Sequence, residues 1–273
     1  MAIGFREIVE QSGTSVFFID ASGVIYDDHG TIPGAAAAMA WLQDRGDVFV
    51  VTNNTFQCPD TISARLEVVH GISVAPPYIL SSGRGLSEDV AFSSVISGAL
   101  CYVVGSADSD WYVHAAGGEV VSALADADVV VLLASSHGSM AQYDAVIAEN
   151  KRRPSLTLVC ANPDVYVQPR DQEKIPVIGY YARYIDESVG GGMLWMGKPE
   201  PCFSAVVDQY VSRQLGRELG ADFVFVDDNI DNVRQLCGDL GGIGCVPQTT
   251  GLAQSRDWNV SESERIFKIM SFA

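Results

Sequence analysis

The chain has 273 residues, 48% of them hydrophobic, and a formal net charge of −17 at pH 7. That is enough apolar material for a full core, in one large domain or two smaller ones. The acidic balance, with a pI near 4.4, argues against a nucleic-acid or anionic-membrane binder, because phosphate backbones demand cationic stripes. A small phosphate ester is not excluded, since a local cation or metal outweighs a repulsive global field.

The predicted elements alternate apolar runs with amphipathic segments, the pattern of a parallel sheet wrapped by helices. Val16–Ile19 reads as the first strand. Pro33–Arg45 reads as a helix, with Pro33 suited to its first turn, an alanine-rich body and Gly46 to end it. Val48–Val51 follows as a strand, Pro59–His70 as a helix stopped by Gly71, and Tyr78–Leu80 as a short strand. A second set follows: strands at Cys101–Val104, Val129–Leu133 and Leu156–Cys160, a helix at Met140–Asn150, and a mixed helical stretch at Pro176–Val189. After the turn Gly190-Gly191-Gly192 come a helix at Pro201–Leu219, a strand at Phe223–Val226, a helix at Asn229–Leu240 and a last strand at Ile243–Val246. Ser81-Ser82-Gly83 and the triple glycine bracket an inserted domain, residues 82–190. Residues 1–81 and 191–273 then form one discontinuous core.

No apolar run approaches the roughly 20 residues that cross a bilayer. The first eleven residues lack an apolar segment of the secretory kind. The six cysteines, at 58, 101, 160, 202, 237 and 245, form no CxxC pair and read as reduced thiols. The expected location is therefore cytoplasmic, with no membrane and no nucleic-acid partner.

Four polar clusters stand after predicted strands or before helices: Asp20-Ala21-Ser22, Thr52-Asn53-Asn54, Gly197-Lys198-Pro199 and Asp227-Asp228-Asn229. Carboxyl ends of parallel strands share one crevice, so these clusters can converge. An isolated carboxylate, a carboxylate pair, a hydroxyl with amides and one lysine suit phosphoryl transfer. Carboxylates hold Mg²⁺ together with substrate phosphate, and an aspartate shielded by metal can attack phosphorus. Thr52 and Lys198 can bind the transferring oxygens as charge builds.

In order and spacing these motifs resemble the haloacid dehalogenase superfamily. The nearer likeness is to its subclass IIA, the 4-nitrophenylphosphatase-like and sugar-phosphate phosphatases with a large C2 cap between the second and third motifs. Asn162-Pro163-Asp164 and Met196-Gly197-Lys198-Pro199-Glu200-Pro201 strengthen it, and it covers essentially the whole chain. The resemblance implies a Rossmann-like parallel-sheet core with an inserted α/β cap. It implies that Asp20 is the nucleophile and a metal ligand, forming an aspartyl-phosphate. Thr52, with Asn53 beside it, would bind phosphate. Lys198 would neutralise nucleophile and phosphate. Asp228, with Asp227 as neighbour or outer partner, and the backbone carbonyl of Ser22 would complete the Mg²⁺ site. Asn162, Asp164 and His137 are candidates for substrate contact from the cap, although His137 also reads as a plain loop histidine. Arg84 and Arg170 read equally well as anion ligands or surface charges. A homodimer is expected by the same likeness.

Two positions depart from the family pattern. The phosphatases carry an aspartate two residues after the nucleophile, to protonate the leaving oxygen; Ser22 cannot do this at neutral pH, and such help is worth roughly 10²–10⁴-fold. The fourth motif ordinarily ends in a further aspartate, where Asn232 and Val233 stand here. The expected function is a Mg²⁺-dependent phosphatase-like hydrolase of a small phosphorylated metabolite, impaired in acid–base catalysis by Ser22. The alternatives are a phosphate- or metabolite-binding pseudo-phosphatase, or a phosphotransferase. The substrate, and Mg²⁺ against Mn²⁺, stay open.

Overall fold

The computed structural model describes residues 4–135, 139–169, 173–252 and 264–272. Its main sheet has six parallel strands. In spatial order they are Ile266–Ile269, Ile243–Pro247, Val224–Val226, Val16–Ile19, Asp47–Thr52 and Ile79–Ser81. The strand Val16–Ile19 is fully buried on both faces, which is why it reads as an unbroken apolar run rather than an alternating one. Its neighbours are Val224–Val226 on one side and Asp47–Thr52 on the other. Chain order reverses at this strand, so a crevice opens beyond its carboxyl end.

The second sheet has five parallel strands, ordered Leu194–Trp195, Thr157–Cys160, Val129–Leu132, Leu100–Val104 and Glu119–Val121. All of its strands come from the middle of the chain, and the strand after the triple glycine is among them. One apolar cluster joins the two sheets: Phe18, Phe49 and Val51 of the first share it with Cys101, Val131 and Val159 of the second. A cluster around Phe17, Ile19 and Met39 fills the far face of the main sheet, and one around Val130, Tyr143 and Ala182 fills that of the second.

Polar links cross the same junction. Ser82 donates to the Ala161 carbonyl and Thr55 to the Leu133 carbonyl. The Tyr112 hydroxyl donates to the Gln57 carbonyl at 2.6 Å.

Most predicted elements are present with ends shifted by a few residues; the helix read over Pro201–Leu219 stops at Leu215, for example. One expectation is corrected. The strand at Ile243–Pro247 is not the last, because Ile266–Ile269 pairs beside it. That edge strand is only half-buried and carries Lys268, so its sequence lacks the apolar continuity of the inner strands. The helices Phe5–Ser12, Val90–Ile96 and Asp110–Ala115 and the strand Glu119–Val121 also have no counterpart in the sequence reading. Each is short, and the packing that stabilises it is tertiary. All six cysteines are free. Among the described residues no helix is long and apolar enough to cross a membrane.

Candidate active site

Asp20 follows the central strand directly, and its backbone N–H donates to the Val226 carbonyl at 2.8 Å. Asp227 and Asp228 follow the neighbouring strand Val224–Val226. Thr52, Asn53 and Asn54 end the strand on the other side. Three neighbouring strands thus bring three of the four clusters to one edge. Lys198 arrives from the loop before the helix Pro201–Leu215.

Lys198 organises the centre. Its Nζ donates to Asp20 Oδ1 at 2.8 Å, to Asp227 Oδ2 at 2.6 Å and to the Val51 carbonyl at 2.8 Å. The lysine is only 3% exposed. Burial works against its ammonium, but Asp20 and Asp227 outweigh burial and raise its pKa. It is therefore a permanent cation at neutral pH.

One ammonium does not neutralise three buried carboxylates. Single oxygens of Asp20, Asp227 and Asp228 all lie within 4.8 Å of one another. Burial pushes the Asp20 carboxyl up to about 7; Lys198 opposes the rise and Asp227 adds to it. Asp228 is raised well above the ordinary range by burial, then by the charges of Asp227 and Asp20. This surplus negative charge is what a divalent cation would neutralise.

The three carboxylates are not equivalent. Asp227 is fully buried and both its oxygens are in use. Oδ1 accepts from the Asn229 N–H at 2.8 Å, Oδ2 accepts from Lys198, and the Asn232 amide reaches both at 3.2 Å. It holds Lys198 in place. Asp20 keeps Oδ2 free of any hydrogen bond to the described residues. Among the described residues, Asp228 accepts only from the Leu252 N–H, at 2.6 Å. Asn232 is a further oxygen donor: its Oδ1 is buried without a hydrogen-bond partner among the described residues.

Two glycines make room for Asp228. Gly23 and Gly251 both have positive φ, 81° and 59°. A Cβ at residue 23 would lie 2.5 Å from Asp228 Oδ2, and one at residue 251 would fall on the same oxygen.

The site opens into a cavity of about 390 Å³, lined by Asp20, Ser22, Thr52, Asn53, Asn162, Asp164, Lys198 and Asp228 among others. Thr52 is buried, and its Oγ1 accepts from the Asn54 N–H at 3.2 Å. Ser22 is exposed at the rim. From the second sheet's loop, Asp164 accepts from Asn53 Nδ2 at 2.9 Å, and Asn162 Oδ1 accepts from the Asp164 N–H at 3.1 Å. Every candidate site residue except His137 therefore comes to one place, Asp227 being the one that does not line the cavity. His137 lies outside the described residues, as does Arg170.

Arg84 does not line this cavity: it donates to the Ile79 and Pro76 carbonyls at 2.9 and 3.1 Å and lies against Trp111 and Tyr210. The sequence reading missed Arg65, Tyr26 and the loop at Gly251. Arg65 lines the cavity, its guanidinium 4.9 Å from the centre of the Tyr26 ring. On the helix Pro59–His70 it looks like any surface charge, and nothing in the local pattern marks it.

Comparison with known proteins agrees with this architecture. Residues 17–119 match the family model Hydrolase_6, haloacid dehalogenase-like hydrolase. No curated protein matches the chain. A possible sugar phosphatase of the haloacid dehalogenase superfamily from Cytophaga hutchinsonii superposes with a TM-score of 0.80 at 17% identity, covering 100% of this chain and 98% of that one. The 4-nitrophenylphosphatase of Thermotoga maritima gives 0.75 at 17% identity, covering 96% and 95%. The glycerol phosphate phosphatase of Mycobacterium tuberculosis, in complex with calcium, gives 0.73 at 20% identity, covering 89% and 68%. Residues 17–119 are thus similar to haloacid dehalogenase-like hydrolases, and the chain as a whole shares the two-sheet fold of the nitrophenylphosphatase and sugar-phosphatase structures.

Proposed function

We propose that the protein is a Mg²⁺-dependent phosphatase that cleaves a small phosphate monoester through an aspartyl-phosphate on Asp20. The observation that carries this reading is the Lys198 ammonium, fixed on Asp20 at 2.8 Å beside a carboxylate cluster in cation deficit. Asp20 Oδ2, the oxygen that Lys198 does not hold, attacks phosphorus. Thr52 Oγ1 and the Asn53 backbone bind the phosphoryl oxygens as charge develops on them, and Lys198 Nζ, whose three N–H groups are taken by Asp20, Asp227 and the Val51 carbonyl, acts through its fixed positive charge. Water then cleaves the aspartyl-phosphate. The second-sheet unit, residues 82–190 with the strand Leu194–Trp195 as its hem, acts as a cap that excludes bulk water.

The donor set fits Mg²⁺. It is all oxygen, it includes two carboxylates that Lys198 does not neutralise fully, and Asn232 Oδ1 is buried and unpartnered. Asp20, Asp228 and the Ser22 carbonyl would hold the ion, with Asn232 and Asp227 as outer support. When bound, the ion would screen Asp20 from phosphate charge and polarise the phosphoryl oxygens. A relative of the same fold is a glycerol phosphate phosphatase in complex with magnesium.

The test is turnover of 4-nitrophenyl phosphate. We expect release of nitrophenolate with Mg²⁺, loss of the activity with EDTA, and recovery when Mg²⁺ is added back. No turnover with any metal, while inorganic phosphate still binds, would replace this reading with a phosphate-binding protein. A second measurement addresses the metal directly. Gly251→Ala drives a methyl into Asp228 and should weaken Mg²⁺ binding about 10–100-fold by calorimetry. Unchanged affinity would remove Asp228 from the ion.

The free thiols support a reducing, cytoplasmic setting. Exposed Tyr166, Val167, Ile175, Tyr180 and Tyr184 on the cap support dimerisation through that face, which sedimentation at several protein concentrations would read.

A further inference from the structure

Ser22 leaves the reaction without the proton donor its chemistry needs. An ester oxygen departing as an alkoxide is a very poor leaving group, and a serine hydroxyl stays protonated near neutral pH. We propose that Asp164, delivered by the cap loop, is the general acid and base of this site in place of residue 22. The inference rests on the phosphatase reading above.

Geometry narrows the choice. Five carboxylates line the cavity: Asp20, Asp27, Asp28, Asp164 and Asp228. Asp20 is the nucleophile, and Asp228, which accepts from the Leu252 N–H, would hold the ion. Asp27 and Asp28 belong to a surface hairpin and engage His29: Asp27 accepts from its N–H at 2.9 Å, and Asp28 lies 3.7 Å from its ring. Asp164 differs in being tied to the centre. Its Oδ1 accepts from Asn53 Nδ2 at 2.9 Å. The same amide is clamped on the Lys198 backbone, donating to its carbonyl at 2.8 Å and accepting from its N–H at 2.9 Å. Lys198 in turn holds Asp20. A continuous hydrogen-bonded path therefore fixes the cap carboxyl relative to the nucleophile. The Asp164 backbone is held as well: its carbonyl accepts from the Gly179 N–H at 3.1 Å.

Oδ2 of Asp164 makes no hydrogen bond to the described residues, so it can carry and transfer a proton. The groups that act on it are Asn53, Lys198 and Asp227. Burial pushes its carboxyl up to about 6; the Asn53 hydrogen bond and the Lys198 charge oppose this, and Asp227 adds to it. A carboxyl in that range exchanges protons at neutral pH, as a general acid must.

The steps balance. As Asp20 Oδ2 bonds to phosphorus, the P–O ester bond breaks. Its electron pair stays on the ester oxygen, which takes the proton from Asp164 Oδ2, and the alcohol leaves. The Asp164 carboxylate then removes a proton from water as that water's oxygen attacks phosphorus. The aspartyl P–O bond breaks, Asp20 is regenerated, phosphate departs and Asp164 is protonated again.

The experiment compares phosphate esters of graded leaving-group basicity on the Mg²⁺-loaded protein. We expect Asp164→Asn to lower kcat/KM on glycerol phosphate about 10²–10⁴-fold. On 4-nitrophenyl phosphate, whose leaving group needs no proton, the loss should be under about 5-fold on the same argument. In Asp164→Asn, Ser22→Asp should restore part of the glycerol phosphate activity. The unsubstituted protein gives an independent reading: on glycerol phosphate kcat/KM should fall as pH rises above about 6, with a much shallower fall on the nitrophenyl ester. An equal loss on both esters would make Asp164 only a link between cap and core and overturn the proposal, as would finding the graded loss in Asp27→Asn instead. If the unsubstituted protein cleaves neither ester, it is the phosphatase reading that fails.

Discussion

Asp20→Asn should lower turnover of 4-nitrophenyl phosphate on the order of 10⁵-fold while leaving the fold intact. The amide has the same shape but cannot attack phosphorus, and removal of a catalytic nucleophile elsewhere costs losses of this scale. Steady-state kinetics with Mg²⁺ reads the loss, and acid-quench trapping of labelled phosphate should find no phospho-protein. Turnover unaffected by the substitution would sink the mechanism. The same variant makes a stability prediction of definite sign. The Asp20 carboxyl is raised to about 7 in the folded chain, above its unfolded value. Protonation therefore favours the folded state, and that contribution is lost as pH rises toward and through about 7. Without metal, at pH 8, Asp20→Asn should melt above the unsubstituted protein. With Mg²⁺ added, the unsubstituted protein should gain stability that the variant gains less of, because the ion offsets a charge the variant lacks.

Lys198→Met should be damaging in two ways at once. It removes the ammonium from between Asp20 and Asp227 and leaves the Val51 carbonyl without that donor. Breaking a buried ion pair from one side costs about 3–5 kcal/mol, which in a chain of this size lowers the melting temperature by roughly 10 °C. Loss of the cation should also lower turnover about 10²–10³-fold, the scale for one preorganised electrostatic donor. Calorimetric melting at pH 8, with EDTA and then with Mg²⁺, separates the effects. Mg²⁺ should recover part of the stability and little of the activity. A melting temperature within a degree of the unsubstituted protein would mean that the three carboxylates do not rely on Lys198.

Much of this site is legible in the linear order. Asp20, Thr52 and Asp227-Asp228 each follow an unbroken apolar run, and buried parallel strands end at one edge. That logic needs no contact map. The division of labour within the site is another matter. Asp227 and Asp228 are adjacent in sequence and alike in chemistry. Only the fold turns Asp227 toward Lys198 and Asn232 and Asp228 toward the Gly251 loop. Asn232, at a position where the resemblance leads one to expect a carboxylate, is an anchor for Asp227, and its side-chain oxygen is buried without a hydrogen-bond partner among the described residues.

What the sequence determined by itself is the class of fold, the two-sheet organisation and the candidate nucleophile with its neighbours. Those follow from local periodicity and from where strands end. The tertiary structure alone decided which side chains from distant segments share a hydrogen bond. Asn53 meets Asp164 and Lys198 across more than a hundred residues, Arg65 comes to lie over Tyr26, and the half-buried strand Ile266–Ile269 closes the sheet. Such pairings depend on packing and on the burial of charge, and neither is a property of neighbouring residues in the chain.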